Sequence, residues 1–472
     1  IFIYSKIYMV INMELNVKVD SRKVKKGDTF IALRGISSDG HDYIESAIKN
    51  GASKLIVEED KNYSVEYEIV SDTRAYLINY LKENYSKYLN EMKIIGITGT
   101  NGKTTSAYLL HNALNLLGIK TAYIGTIGFY INKKIGSLNN TTPDVLDLFE
   151  LLLKSYENGC KYVCMEVSSQ GLSHKRVEGF LFDYVVFTNL TQDHLDYHKT
   201  MENYALAKQE LFKKLKKDGV AIVNYDDKYK NYYLLKQNKN ITYGFNGGDY
   251  KIENYKMNNL GTTLKYKHNN EYNISTKLIG KYNIYNLLIT LVILDLIGIK
   301  QEEIKKISYE LKTPSGRMET IRYNNSSIVI DYAHTPDAIE KIINTMKEVT
   351  KGNIYTVFGC TGDRDRTKRP IMLKLVTSLS RYAIVTNDDP HFEDPIQIVN
   401  DMISGVEAKN YEIILDRKQA IRKGISLLKE YDTLLILGKG HEEYMIIKDK
   451  KIPFKDSSAV EEILNENMEM VK

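Results

Sequence analysis

At 472 residues the chain is too long for one ordinary core, and its length suggests about two to four domains. With 43% apolar and 26% charged residues it has the composition of a folded globular protein rather than a disordered or low-complexity one, and a net charge of +5 is too small to argue by itself for nucleic acid. Its three cysteines, Cys160, Cys164 and Cys360, fit neither a disulfide framework nor a zinc pattern and read as core thiols in a reducing compartment.

The first residues, "IFIYSKIYMVINMELN", begin without Met and are apolar, yet carry no basic leader, long apolar region or small-residue cleavage site. A start at Met9 or Met13 is expected. No other segment has a run of about 18 apolar residues, so the expectation is a soluble, cytoplasmic protein. Residues 14–88 read as short strands with one helix: "DTFIAL", then "YIESAIKNG" as the helix ending at Gly51, then "SKLIVEE". "NYSKYLNEM", 84–92, reads as a polar joint.

Beyond it the texture changes. "KIIGIT" is a buried strand, and "KTTSAYLLHNALNLLG" is a helix with apolar positions 108, 109, 113, 116 and 117 that stops at Gly118. "TAYIGT" is the next strand. "KYVCMEVSS", "YVVFTNL" and "GVAIVNYDD" continue the alternation, while residues 249–278 read as polar antiparallel strands. From about 313 a second α/β series follows: "IVIDYAH", "NIYTVFGC", "RYAIVTND", "YEIILD" and "TLLILGKG".

Four clusters carry chemistry. "GITGTNGKTT" has the second half of a phosphate-binding loop in Gly102, Lys103 and Thr104, but Ile97 stands where the first glycine belongs, with glycines at 96 and 99 instead. A glycine loop between strand and helix turns its N–H groups inward as an anion site; Lys103 adds a positive charge, and Thr104 or Thr105 a ligand for Mg²⁺. An ordinary glycine turn is the bland alternative. Glu166 ends an apolar strand in "MEVSSQGLSHKRV", where a carboxylate takes either a salt-bridge partner or Mg²⁺. "TNLTQDHLDYHKT" packs Asp193, His194, Asp196 and His198 at a strand's carboxyl end, as a metal–phosphate site or as a solvated loop. Lys208, in "NYALAKQELFKK", lies beside a helix stripe of Ala207, Leu211 and Leu215; alone it reads as a snorkelling surface lysine.

In order and spacing, "TGTNGKTT", "MEVSS", "TNLTQDHLDYH" and the "AK" before "LF" resemble the Mur ligase family. So do "GKYNIYNLL" (280–288, with Tyr282 for Phe), "PSGRME" (314–319), "DYAHTPDA" (331–338), "GDRDRTKRP" (362–370), "DDP" (388–390) and "GKGHEEY" (438–444). "DSRKVKKGDTFIAL" is similar to the uridine-binding domain of the branch that adds the third amino acid to UDP-N-acetylmuramoyl-L-alanyl-D-glutamate. The resemblance covers about residues 17–460 and implies an α/β chain of three domains: a small N-terminal uridine-binding domain (1–90), a central P-loop ATPase-like domain with a mostly parallel sheet (91–313), and a C-terminal Rossmann-like domain (314–472) that takes the amino acid.

The activity implied is an ATP-dependent, ADP-forming acid–amino acid ligase acting through an acyl phosphate, with ATP and Mg²⁺ as cofactors. Its partners are small molecules, with no nucleic acid or membrane, and it works as a monomer. The resemblance gives Gly99, Thr100, Asn101, Gly102, Lys103, Thr104 and Thr105 to the phosphates, and Asn283, Asn286, Arg317 and Asp331 to the rest of the nucleotide. Thr104, Glu166, His194 and Lys208, the last as an N6-carboxylysine carbamate, hold metal; Lys103, Lys208, His194 and Glu166 are the catalytic set. Ser21 and Arg22 touch the uridine diphosphate, and Asn140, Thr141, Thr142, Ser168 and Arg176 the sugar–peptide. Arg364, Asp388, Asp389, His391, Gly438 and Glu442 face the amino acid.

Two positions depart from the family: Gln170 stands where many relatives have His, and His391 stands where diaminopimelate enzymes have an arginine that grips the distal carboxylate. His391 therefore tilts the expectation towards lysine or another diamino acid, with Glu393 or Asp394 for its ε-ammonium. A ligase of the same chemistry on another acid, of the folylpolyglutamate synthase kind, and a nucleotide-dependent switch protein are the alternatives.

Overall fold

The computed structural model describes residues 15–35 and 38–469, so the expected start at Met9 or Met13 lies outside the described residues. The chain divides into two compact units, up to Tyr250 and from Lys251 onward.

The first unit opens on a parallel sheet of Val17–Lys18, Thr29–Ile31, Lys54–Val57 and Glu66–Ile69, in that order. One face carries the helix Ile44–Lys49, as expected. The expected polar joint at 84–92 is mostly the end of a second helix, Thr73–Leu89, which Asp72 caps. Its buried residues, Thr73, Leu77, Leu81 and Leu89, recur at multiples of four. Tyrosines and lysines between them hid that stripe from a reading by hydrophobicity.

The larger sheet of this unit places Lys93–Thr98 between Phe182–Phe187 and Tyr162–Glu166, all parallel. Leu215–Asn224 and Lys239–Gly244 extend it in parallel on one side. Thr121–Gly125 extends it on the other, followed by the antiparallel strands Gly128–Ile131 and Lys133–Gly136. The middles of these central strands are mostly apolar because helices cover both faces.

Two of those helices correct expectations. In Lys103–Leu116 the buried positions include Ala107, Leu109, Leu110, Ala113 and Leu114, whereas Leu116 is exposed. The buried face lies about one residue out of phase with the apolar count. The helix Met201–Phe212 buries Tyr204, Ala205, Lys208, Leu211 and Phe212. Leu215 belongs to the next strand, so the stripe counted through it was displaced. Lys208 lies on the buried face and not beside it.

The second unit has an antiparallel meander, Tyr250–Asn258, Gly261–His268 and Asn270–Thr276, as read from the sequence. The helix Lys281–Leu296 is apolar nearly all round and correspondingly buried. A six-stranded sheet follows in the order Glu319–Tyr323, Ser326–Asp331, Thr433–Leu437, Ile354–Phe358, Tyr382–Val385 and Tyr411–Ile413. Only its first pair is antiparallel. Two apolar clusters line its two faces, one with Ile339, Ile343, Leu373 and Val376, the other with Ile421, Val460 and Ile463. This is the doubly wound arrangement in which ligands bind at the carboxyl ends of the strands. The three thiols are free and buried. Among the described residues no helix is long and apolar enough to cross a membrane.

Candidate active site

The strand Lys93–Thr98 delivers the chain into the glycine loop. Gly99 (φ 147°) and Gly102 (φ 86°) take conformations that L side chains rarely adopt. A Cβ on Gly99 would collide with the Thr188 hydroxyl, so the shifted glycine serves close approach of two loops. The asparagines lock that approach: Asn189 Oδ1 accepts from Asn101 N and its Nδ2 donates to Asn101 O, both at 3.0 Å. Gly102 caps the helix Lys103–Leu116, whose first N–H groups therefore face the loop. Lys103 Nζ donates to the carbonyls of Gly99 (3.0 Å) and Thr100 (2.9 Å).

Glu166, at the end of its strand, has no solvent exposure. Its described partners are hydroxyls and an amide: Thr104 Oγ1 at 2.8 Å, Thr126 N at 2.8 Å, Thr126 Oγ1 at 3.2 Å and the Tyr123 hydroxyl. The salt-bridge alternative for Glu166 is absent among these contacts. A buried carboxylate beside a threonine hydroxyl is a hard-oxygen pair of the type Mg²⁺ takes, so the donor set fits the ion. On the same side, Thr142 Oγ1 donates to Glu166 O (3.1 Å) and Ser168 Oγ (3.2 Å), and Arg176 Nη1 to Thr142 O (3.2 Å). Thr126 and Thr141 hydroxyls meet at 3.0 Å. The structure thus brings Thr141, Thr142, Ser168 and Arg176 together beside Glu166, with Asn140 exposed at the edge.

Lys208 is 1% exposed and donates to Gly99 O at 2.8 Å. The snorkelling reading is excluded. Burial, reinforced by the Lys103 ammonium, pulls its amine well below the usual lysine range. Its Nζ also lies 4.5 Å above the Tyr204 ring centre. His194 is about half exposed, holds a left-handed φ of 52° and lies 3.5 Å from the Asp193 carboxylate. Ser21 is buried in a turn capped by Asp20, while exposed Arg22 pairs in a fork with that same Asp20.

In the second unit, Asn283 and Asn286 are buried on one helix and joined to each other at 3.2 Å. The Arg317 guanidinium stacks 4.7 Å over Tyr332. Burial raises the Asp331 carboxyl, which accepts from the N–H groups of Met318 and Ala333.

The carboxylates of Asp388, Asp389 and Glu442 converge around one fully buried cation, Lys439, which sequence reasoning missed. Lys439 Nζ donates to Asp389 (2.7 Å) and Glu442 (3.0 Å) and lies 3.8 Å from Asp388. Burial works against its charge, but Asp388, Glu442 and Asp389 together hold it above the usual lysine value. Burial also pushes Asp388 upward and Glu442 to about 7. A Cβ on Gly438 (φ 114°) would strike the Asp388 carboxylate, so this approach requires glycine. The cue in sequence was a lysine between two glycines after a buried strand, the same grammar that picked out Lys103.

His391 is partly buried and pinned by its backbone, its N–H to Ile446 O and its carbonyl to Lys448 N. Arg364 is exposed. The partner expected for a lysine ε-ammonium is already taken. Glu393 is gripped by both terminal nitrogens of buried Arg369 at 2.9 Å and by Arg366 at 3.1 Å, which holds it at about 2. Asp394 caps the helix Pro395–Ile403.

Models of three families match in series: the Mur ligase family catalytic domain over residues 16–98, the Mur ligase middle domain over 97–294, and the Mur ligase glutamate ligase domain over 316–440. A relative from Clostridium botulinum, UDP-N-acetylmuramoyl-L-alanyl-D-glutamate–2,6-diaminopimelate ligase, is 43% identical over 462 residues, 95% of each chain. A solved structure of an enzyme with the same name is 32% identical, covers 96% of this chain and 95% of its own, and superposes with a TM-score of 0.71. The MurF ligase from Thermotoga maritima in complex with ADP, 19% identical with a TM-score of 0.66 over 97% of this chain and 98% of its own, shares the fold. The names of the first two run against the lysine expectation. With end-to-end identity at this level and all three domain models in order, the chain belongs to the Mur ligase family.

Proposed function

We propose that this chain is an ATP-dependent ligase that adds 2,6-diaminopimelate, as the third residue, to UDP-N-acetylmuramoyl-L-alanyl-D-glutamate in peptidoglycan synthesis, in the cytoplasm. The observation that carries the site reading is the Thr104–Glu166 contact of 2.8 Å, beside a loop on which Lys103 and Lys208 converge. The choice of diaminopimelate follows the relatives' names, now that Glu393 is committed to arginines.

A carboxylate is a poor electrophile because an amine cannot displace oxide. ATP therefore transfers its γ-phosphoryl group to the D-glutamate carboxylate, releasing ADP. The amine then attacks the acyl carbon to form the N–C bond and a tetrahedral intermediate; the nitrogen loses a proton to water, and the acyl C–O bond breaks with its electron pair leaving on phosphate. The protein contributes positioning and charge neutralisation. The glycine loop, Thr100 to Thr105, orients the phosphates, and Lys103 exchanges its two carbonyl partners for phosphate oxygens. Thr104, Glu166, His194 and Lys208, the last as a carbamate, would hold Mg²⁺, which would supply positive charge beside the phosphates.

For that role the neutral Lys208 amine adds to dissolved CO₂: the N–C bond forms, one C–O π pair moves onto oxygen, and a proton leaves nitrogen for water. Its lowered basicity supports this, since only the free amine is nucleophilic. Asn283, Asn286, Arg317 and Asp331 hold the rest of the nucleotide. Ser21, Arg22, Asn140, Thr141, Thr142, Ser168 and Arg176 hold the muropeptide. Arg364, Asp388, Asp389, His391, Gly438 and Glu442 hold the amino acid.

The test is phosphate release by purified protein with ATP, UDP-muramoyl dipeptide and a panel of amino acids. Release should require both the dipeptide and an amino acid. Release with neither, or with a different acid alone, would overturn the assignment.

A further inference from the structure

We propose that Tyr204 is a positioning residue that sets Lys208 against the phosphate loop, with His198 as its backing; this rests on the reading of Lys208 given above. Tyr204 is 1% exposed, four residues before Lys208 on the same helix face. Its ring presents a face to Lys208 Nζ at 4.5 Å. The Thr100 hydroxyl donates to the Tyr204 oxygen at 3.3 Å, and the same Thr100 Oγ1 accepts from Thr191 N at 3.0 Å. One side chain thereby touches the lysine, the glycine loop and, through Thr100, the loop that leads to Asp193 and His194.

The ring is itself held. His198 stacks on it with centres 4.9 Å apart and planes 26° from parallel. His198 Nε2 meets Ser169 Oγ at 2.9 Å, and both residues are buried. Ser169 directly follows Ser168, which belongs to the Thr142–Arg176 group. The aromatic pair therefore ties the turn on the Thr142 side to the phosphate loop. Lysine has a flexible four-carbon stem, and a reacting amine must occupy one place. The Gly99 carbonyl limits Nζ on one flank and the Tyr204 face on another. The contribution of both rings is location.

The experiment compares wild type with Tyr204→Phe, Tyr204→Leu and His198→Leu. The readouts are kcat, KM for ATP and for the muropeptide, thermal midpoint, and the ¹³C carbamate NMR signal in labelled bicarbonate. Tyr204→Phe keeps the ring and loses the Thr100 bond, so KM for ATP should rise about threefold, with a smaller fall in kcat than for Leu. Tyr204→Leu should lower kcat about tenfold or more and weaken the carbamate signal, with partial recovery of both at high bicarbonate.

A folded Tyr204→Leu protein with wild-type kcat and an undiminished signal overturns the proposal. Absence of the signal from wild type refutes the carbamate reading of Lys208; the kcat of Tyr204→Leu then decides the role of Tyr204 alone. If Tyr204→Leu does not fold, His198→Leu decides. It should raise KM for the muropeptide and lower kcat severalfold, and wild-type values for both overturn the proposal.

Discussion

The phosphate loop of the first unit and the carboxylate cluster of the second are built alike and balanced differently. Each lies at the carboxyl end of a parallel strand, with a left-handed glycine, a buried lysine and a buried carboxylate. In the first, Lys103 and Lys208 rest on backbone carbonyls, and Glu166 rests on hydroxyls and an amide. In the second, Lys439 is enclosed by Asp389, Glu442 and Asp388. The first site holds its lysines and carboxylate largely through backbone and hydroxyl groups, which a charged ligand can replace. A site that neutralises itself holds its shape without one, and the ligand must work with the residual charge.

The sharpest way to break this comparison is to remove the buried amine of the first region. Lys208→Ala should stay folded, because burying a neutralised amine contributes little stability, yet lose about a thousandfold or more in kcat, roughly 4 kcal/mol of barrier. Short carboxylic acids should restore part of the rate by filling the vacated anion position. Lys208→Arg keeps a cation and cannot form a carbamate. If it turns over at the wild-type rate, Lys208 acts as a positive charge and the proposed carbamate is wrong.

Lys439→Met should give the opposite pattern. Without the central ammonium, three carboxylates face each other in a buried site. Breaking a buried pair costs about 3 kcal/mol or more, and partial protonation of Asp388 and Glu442 keeps the loss near the lower end. Urea denaturation should therefore show a large fall in stability, beyond that of Lys208→Ala. Equal stability losses in the two variants would erase the contrast between the regions.

Much of this was legible in the chain itself. Parallel strands buried on both faces are written as continuous apolar runs, so "KIIGIT", "YVVFTNL" and "TLLILGKG" were found without a structure. The glycine loop was found for the same reason that it works, a short strand, two glycines and a lysine opening a helix. The failures have physical causes. Thr73–Leu89 carries Tyr and Lys between its buried leucines, and tyrosine is amphipathic, so local composition looked polar. Lys208 was placed off the buried stripe because that stripe was counted across a helix end into Leu215. Lys439 was overlooked because its partner Asp389 lies fifty residues away, and no local pattern predicts that pairing. Glu393 was assigned to a ligand because Arg369, its true partner, reads as an ordinary helix residue.

A smaller effect follows from Glu442. Burial raises its carboxyl to about 7, above its ordinary value near 4.5. A raised folded-state value contributes stability that is complete below the ordinary value and fades as pH rises through about 7. Its partial exposure reduces the size, to about 1–2 kcal/mol. Between pH 5 and 8 the wild-type denaturation midpoint should fall more than that of Glu442→Gln. Over the same range, KM for the amino acid should decrease in wild type, since the ionised carboxylate pairs better with an ammonium. Parallel profiles for the two proteins would remove Glu442 as the titrating group.

An effect of similar size follows if His391 faces the far end of the amino acid, as proposed above. His391 is fixed by backbone bonds to Ile446 and Lys448, so the imidazole cannot withdraw from this position by a simple loop shift. An imidazole can point one ring N–H at a carboxylate, whereas a guanidinium offers a charged, two-pronged fork. Replacing the first by the second adds a charge-assisted contact worth about 1.5 kcal/mol or more. His391→Arg should therefore raise kcat/KM for meso-diaminopimelate about tenfold relative to lysine, with kcat less affected than KM. The measurement is kcat/KM for diaminopimelate, ornithine and lysine on both proteins. The arginine must also find room beside exposed Phe392 and the Glu393–Arg369 pair, whose carboxylate is already saturated and so will not divert it. A wild-type preference for lysine would return specificity to the His391 argument. It would also require an ε-ammonium partner other than Glu393, because Arg369 and Arg366 already occupy that carboxylate.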